Sequence, residues 1–249
     1  MDVRIEMINI DQVVILAGGK GNRLKPLTNH ISKCMVNINS IPLLSYHLNY
    51  LYSEGFKKFL ILTGYKSNKI ISNYSKYQNF NIQFSKGQIK FNTGKRIVDA
   101  YNLLDSYFLL IYCDNFWPIN KKKIIKQYKK INYPIMNTVF SNKKNIGEYG
   151  NLNNIKYDNY LVSAYGKKNN SNNGVDIGYF IIEKKTLFKF IKTNDNFSLS
   201  KDLIPTLIQK KKLGCYITDQ EYLYLTKPKD KINFEKKIKK YFKNFKIKK

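Results

Sequence analysis

Acids are scarce in this chain. Seventeen Asp and Glu (17) stand against 44 Lys and Arg, which leaves a formal charge of +27 at neutral pH over 249 residues. Histidine is scarcer still, with only His30 and His47. So few histidines argue against a His-rich metal site and a His-based catalytic triad. The three cysteines, Cys34, Cys113 and Cys215, are far apart and odd in number. They fit neither a disulfide framework nor a zinc ribbon and read as reduced thiols. No run approaches the roughly 18 apolar residues of a membrane span. Met1 to Ile10 carries Asp2 and Glu6 rather than a basic stretch followed by an apolar one, so no signal peptide is expected. Together these absences predict a soluble cytoplasmic protein without stable membrane insertion.

What is present excludes wholesale disorder: 43% of residues are hydrophobic and 14% aromatic, more than a disordered chain carries. The length suits one large domain or two small ones with a real core. Two readings of the basic excess stand side by side. Clustered Lys neutralises nucleic-acid phosphates or anionic headgroups. Alternatively, Lys, Asn, Ile and Tyr are abundant together, and all four have A/T-rich codons, so genome composition produces the same bias. No RNP-type aromatic motif, zinc finger or helix-turn-helix is recognisable, so no nucleic-acid partner is expected.

Along the chain, apolar runs bounded by turn residues alternate with helical spacing. Strands are expected at Gln12–Ala17, Phe59–Thr63, Asn81–Ser85, Tyr107–Tyr112, Ile135–Ser141, Val175–Ile182, Cys215–Thr218 and Tyr222–Leu225. Helices are expected at Ile41–Glu54, Ser67–Tyr77, Gly94–Leu104 and Leu199–Lys210. A basic helix should run from Asp230 to Lys249, with Phe234, Ile238, Tyr241, Phe242 and Phe245 on one face. That face packs either on the domain, with the lysines solvated, or on a membrane surface or partner. Lys167 to Asn173 reads as a polar surface loop or an ordered ligand loop. Strands interleaved with helices predict an α/β fold: a mixed, mostly parallel central sheet flanked by helices. No Pro/Gly-rich linker divides the chain, so residues 12–130 and 131–230 should share one sheet.

The chemistry concentrates after the first strand, where the sequence runs Leu16-Ala-Gly-Gly-Lys-Gly-Asn-Arg-Leu-Lys-Pro-Leu-Thr28 and continues to Ser32-Lys33. Glycines in a turn let backbone N–H groups approach phosphate oxygens, because no Cβ blocks them. A dinucleotide fingerprint would need a third glycine three residues after Gly21, where Leu24 stands, and a P-loop would need Gly-Lys-Ser/Thr at its end. The cation Arg23 just before it, with Lys33 further on, suits a site that holds a triphosphate and stabilises departing pyrophosphate.

This stretch resembles the G-G-x-G-T/S-R-L-x-P-x-T…P-K signature of sugar-1-phosphate nucleotidyltransferases, with Asn22 at the Thr/Ser position and Ser32 replacing the Pro before Lys33. The resemblance extends from residue 12 to about 230. Asn92, Thr93 and Gly94 resemble the turn that reads the base in the family. Asp114 resembles the Mg²⁺-binding aspartate at the end of a central strand. Tyr149 and Gly150 resemble its sugar-side Y-G, Lys167 its E-K-P lysine, and Asp176-Ile-Gly178 its sugar-binding strand. The resemblance implies a Rossmann-like nucleotidyltransferase fold that makes an NDP-sugar and pyrophosphate from an NTP and a sugar 1-phosphate, with Mg²⁺ as cofactor. It implies nucleotide binding by Leu16, Ala17, Gly18, Gly19, Gly21, Asn22, Arg23, Lys33, Thr93 and Gly94. It implies catalytic roles for Arg23, Lys33 and Asp114, with the metal on Asp114. The sugar phosphate falls to Tyr149, Gly150, Lys167 and Asp176. The stretch Cys113 to Pro118 most resembles mannose- or heptose-1-phosphate guanylyltransferase-like members, while other bases stay open. Family members are often oligomers, which leaves a homo-oligomer open.

Three departures stand out. The family usually carries a second Mg²⁺ aspartate in a W-x-D-x-G-T-P-x-D segment, and the best match, Tyr222-Leu-Tyr-Leu-Thr-Lys-Pro-Lys-Asp230, has Tyr224 in its place. Gly166 stands where the E-K-P glutamate would be, and Cys113 where a glycine would precede Asp114. Either the metal is held by Asp114, phosphates and waters, or another acid enters, or the chain is a non-catalytic relative that binds nucleotide or sugar nucleotide.

Overall fold

The computed structural model describes residues 8–150, 152–166, 171–191, 195–243 and 247. Its strands are β1 (Gln12–Leu16), β2 (Asn37–Ile38), β3 (Ile41–Pro42), β4 (Lys58–Thr63), β5 (Asn81–Lys86), β6 (Tyr107–Tyr112) and β7 (Asn115–Phe116). The second half adds β8 (Ile135–Phe140), β9 (Ile155–Asp158), β10 (Leu161–Tyr165), β11 (Val175–Glu183), β12 (Leu213–Thr218) and β13 (Leu223–Tyr224). The helices are α1 (Leu43–Ser53), α2 (Ser67–Tyr74), α3 (Thr93–Asp99), α4 (Lys121–Ile131), α5 (Lys184–Lys189), α6 (Ile204–Gln209) and α7 (Asp230–Ile238).

One nine-stranded sheet takes the order β5-β4-β1-β6-β11-β8-β12-β10-β9. β5, β4, β1 and β6 are parallel neighbours, as are β8 and β12, while β11 and β10 run antiparallel to the strands beside them. The sheet is therefore mixed and mostly parallel. β1 is buried at every position because helices cover both faces. Its period-two alternation divides the core. Val13 and Ile15 pack with Leu44, Leu48 and Ile70 on one side. Val14 and Leu16 pack with Ile97, Leu187 and Leu207 on the other.

The parallel strands β1 and β6 end at the same edge, where Leu16 is paired with Tyr112. That places the glycine turn next to Asp114, which is the usual position of a site in an open α/β sheet. The small ribbon β7–β13 extends beyond this edge and pairs Asn115 with Tyr224.

The differences from the sequence expectations have local causes. The first helix begins at Leu43, since Ile41–Pro42 is drawn into pairing with Asn37–Ile38. The helix expected from Gly94 to Leu104 is shorter: α3 ends at Asp99 and Tyr101–Leu103 tightens into a 3₁₀ turn. The terminal helix is not continuous, because α7 ends at Ile238 and Lys239–Tyr241 is again 3₁₀. Phe234, Ile238 and Phe242 are buried against Tyr46 and Phe116, so this face packs on the domain. Phe245 lies outside the described residues. The β9–β10 hairpin was not expected. Its turn residues Asn159 and Tyr160 both have positive φ (43° and 67°), the backbone of a tight hairpin turn, but without the glycine that signals one in sequence. In α4 the stripe Ile124, Tyr128, Ile131 is hidden among six lysine-rich positions of KKKIIKQYKKI. Among the described residues, no helix is long and apolar enough to cross a membrane.

Candidate active site

The glycine turn is shaped by two requirements. Gly21 has φ +65°, a conformation that costs a Cβ-bearing residue. Its carbonyl accepts the Thr28 hydroxyl at 2.9 Å, and Asn22–Leu24 then closes a 3₁₀ turn that leaves Arg23 exposed and Leu24 buried. Gly18 faces a different constraint: a Cβ there would lie 2.4 Å from the Arg96 guanidinium. Arg96 comes from α3, is 4% exposed, and donates to the carbonyls of Thr63 (2.6 Å), Gln88 (2.9 Å) and Gly18 (3.2 Å). Gly64 and Gly87 also leave room for it. One cation thus ties together the ends of β1, β4 and β5. Sequence reasoning missed this residue; the signal was a glycine within two residues of the end of each of the three strands.

Lys33 enters from a 3₁₀ turn whose other residues, Cys34 and Met35, are buried. Its ammonium lies 2.6 Å from Asp114 Oδ2, with the two side chains 13% and 22% exposed. Burial pushes the Asp114 carboxyl up, but Lys33 outweighs it and holds the group below the usual carboxylate range. Behind Asp114, the buried His47 places Nε2 3.0 Å from the Cys113 carbonyl. Burial keeps this imidazole neutral, with its pKa lowered to about 4, so Nε2–H donates. On the other side, the Leu225 N–H donates to the Asp114 carbonyl at 2.9 Å. Asp114 is therefore fixed from both flanks.

Two cavities meet here. The larger, about 380 Å³, is lined by the glycine turn, Lys33, Phe91, Asn92, Thr93, Arg96, Asp114, Ser198 and Thr226. The smaller, about 200 Å³, is lined by Asn115, Glu148, Tyr149, Asn154, Tyr165, Asp176 and Gly178. Arg23, Tyr112 and Asp114 line both. In the smaller one, Asp176 accepts the Tyr165 hydroxyl at 2.8 Å and the Gly178 N–H at 2.7 Å. Burial raises its pKa despite these bonds. Burial also raises that of Glu148, with the Asp114 charge adding to it.

Of the residues singled out in the sequence, Leu16, Ala17, Gly18, Gly19, Gly21, Asn22, Arg23, Lys33, Thr93 and Asp114 line the larger cavity. Tyr149 and Asp176 line the smaller. Gly94 lines neither: its N–H donates to the Phe197 carbonyl at 3.1 Å, and a Cβ would lie 2.1 Å from the Phe197 ring. Its smallness serves packing between α3 and the segment before α6. Gly150 also lines neither and closes a turn, with its N–H on the Gly147 carbonyl and its own carbonyl accepting from Asn142. Lys167 lies outside the described residues. Glu148, Asn154 and Tyr165 were missed; they come from a loop and the unexpected hairpin, and only long-range hydrogen bonds bring them in. Among the described residues, no group of three or more His, Cys, Asp or Glu side chains is arranged to hold a metal. Of the carboxylates, Asp114 lines both cavities and Glu148 and Asp176 line the smaller.

Comparison with known proteins agrees with this geometry. The chain is 23% identical over 232 residues to the D-glycero-alpha-D-manno-heptose 1-phosphate guanylyltransferase of Aneurinibacillus thermoaerophilus, covering 92% of this chain and 99% of that protein. It is 25% identical over 225 residues to the protein of the same name from Campylobacter jejuni, covering 90% and 98%. HddC from Yersinia pseudotuberculosis shares the fold with a TM-score of 0.76 at 24% identity, covering 92% of this chain and 99% of HddC. HddC has also been solved complexed with GMP-PN. The family model described as nucleotidyl transferase matches residues 12–223, from the first residue of β1 to the first of β13, and takes in every lining residue of both cavities except Thr226. The chain belongs to the nucleotidyl transferase family.

Proposed function

We propose that this protein transfers a guanylyl group from GTP to a sugar 1-phosphate of the mannose or heptose type, releasing pyrophosphate and a GDP-sugar for surface glycan synthesis. The observation that carries the reading is the Lys33–Asp114 pair at the junction of two cavities, one walled by a glycine turn and the other by sugar-type hydrogen-bonding groups. Full-length relatives named as heptose 1-phosphate guanylyltransferases support the choice of base and sugar.

The nucleotide lies in the larger cavity, with its triphosphate along the N–H groups of Gly18 to Asn22. The exposed Arg23 is free to swing onto the β- and γ-phosphates. Asp176, Tyr149 and Asn154 orient the sugar hydroxyls, and Lys167 takes the sugar's phosphate. An oxygen of that phosphate attacks the α-phosphorus of GTP; the bond to the β-phosphate bridging oxygen breaks, and pyrophosphate leaves. Lys33 meets the charge that develops on the phosphoryl oxygens, and positioning plus electrostatics supply most of the rate. Asp114 would hold Mg²⁺, a hard cation that suits carboxylate and phosphate oxygens and needs few protein ligands. When bound, the ion neutralises phosphate charge. The Lys33 ammonium seated on Asp114 supports the fit, because it is a cation on the same carboxylate.

The phenol of Tyr224 beside Asn115 favours a second reading, a nucleotide-binding relative without turnover. Incubation with Mg²⁺, each NTP in turn and a panel of sugar 1-phosphates, with pyrophosphate release as readout, separates the two. Turnover is expected, fastest with GTP and a heptose or mannose 1-phosphate. Tight nucleotide binding with no release from any pair would support the second reading.

A further inference from the structure

The segment in which the family usually carries its second metal carboxylate packs where that role would need it. Tyr224 pairs with Asn115, and the Leu225 N–H is bonded to the Asp114 carbonyl. The register is right, but the side chain is a half-buried phenol that lines neither cavity. A neutral phenol is a poor ligand for a hard cation.

A carboxylate reaches the same place from another part of the chain. Glu148, in the loop between β8 and β9, lines the smaller cavity together with Asp114, and its side chain is 9% exposed. The residues two positions to either side of Tyr224 hold it. The Thr226 hydroxyl donates to Glu148 Oε1 at 2.7 Å, and the Glu148 N–H donates to the Tyr222 hydroxyl oxygen at 2.9 Å. Arg23 does not account for it: Nη1 is 3.9 Å from Oε1, beyond a hydrogen bond, on a side chain 62% exposed. Asp114 already holds the Lys33 ammonium at 2.6 Å, whereas among the described residues no cation lies within hydrogen-bond distance of the covered Glu148 carboxylate, a costly state unless a cation binds there. Asn115 adds a further oxygen: Oδ1 is buried with no hydrogen-bond partner, on a residue that lines the same cavity.

We propose that Glu148 is the second protein carboxylate of the Mg²⁺ site, taking the role of the aspartate that Tyr224 displaces. The carboxylate has moved from the β13 ribbon to the loop that packs on it, while the ribbon retains Tyr222 and Thr226 to hold it in place. The proposal rests on the nucleotidyltransferase reading above.

The test uses the full chain, GTP, and Mn²⁺ as a paramagnetic probe, with free Mn²⁺ followed by electron paramagnetic resonance. Glu148→Gln should weaken Mn²⁺ binding to the GTP-bound protein by at least about tenfold, the loss that even a group supporting a metal ligand produces. Tyr224→Asp placed in the Glu148→Gln background should recover most of it, and Tyr224→Phe alone should change nothing. The recovery also shows that the Gln variant is folded. Wild-type Mn²⁺ affinity in Glu148→Gln, with weakened GTP binding in the absence of metal, would overturn the proposal and make Glu148 a positioning residue for Arg23. That result leaves the nucleotidyltransferase reading intact. A wild-type chain that binds GTP neither with nor without Mn²⁺ would overturn both.

Discussion

The cleft wall formed by residues 16–33 presents mainly backbone and cations, whereas the wall formed by Glu148, Tyr149, Asn154, Tyr165 and Asp176 presents acids, phenols and an amide. On the first wall, conformation is imposed from beneath. Gly21 at positive φ and the Arg96 guanidinium under Gly18 fix where the N–H groups point. On the second, position comes from hydrogen bonds between residues far apart in sequence, such as Thr226 to Glu148 and Asn154 to the Asp176 N–H. Phosphates are alike in every nucleotide, so a rigid wall of N–H groups suits them. Sugars differ in their hydroxyls, and a wall of exchangeable side chains can be altered without disturbing the sheet. Asp114 stands between the two and lines both cavities.

The comparison predicts unequal consequences for substitutions on the two sides. Lys33→Ala should have the largest effect, about 10³-fold in kcat/KM measured by pyrophosphate release, because it removes charge stabilisation from the reacting phosphates. Arg96→Ala should loosen the first wall as a whole. It removes the charged donor from the Thr63, Gly18 and Gln88 carbonyls, which keep only the N–H groups of Gly87, Tyr65 and Phe91, and urea denaturation should show a loss of about 3 kcal/mol. His47 links the same wall to pH. Its folded-state pKa is about 4 against 6.5 in the unfolded chain. Between those values the unfolded state binds a proton that the folded state does not, so stability falls as pH drops from 6.5 to 4, by up to about 3 kcal/mol. His47→Gln should flatten that slope in a series of melting curves. Asp176→Asn should have the smallest effect, about a tenfold rise in KM for the sugar phosphate with KM for GTP unchanged, the loss expected of one hydrogen bond to a charged group. Because burial raises the Asp176 pKa while Lys33 lowers that of Asp114, acidification should weaken sugar-phosphate binding before nucleotide binding. Equal sensitivity of the two would break the comparison.

The first wall was legible in the sequence for a physical reason. A turn that must pass close to phosphate forces glycines and cations into a fixed local order, and Gly18, Gly21, Arg23 and Lys33 stand in that order. The buried strands were legible too, since burial on both faces leaves continuous apolar runs. The second wall was not. Glu148 adjoins a recognisable Tyr-Gly pair, but nothing local shows that its carboxylate turns toward Thr226 across the molecule. Gly94 reads as a ligand turn yet serves the packing of Phe197. The terminal segment shows why a +27 charge was a weak guide: among the described residues its apolar side is buried on α1 and β7, and its lysines face solvent or pair with Glu221 or Glu235.

The central claim is that the two cavities are one active site joined at Asp114. Its most direct measurement is pyrophosphate release from GTP and D-glycero-α-D-manno-heptose 1-phosphate or mannose 1-phosphate with Mg²⁺, for the wild-type chain and for Asp114→Ala. The account predicts release that requires both substrates and is lost in the variant. Release that proceeds unchanged in Asp114→Ala would contradict it.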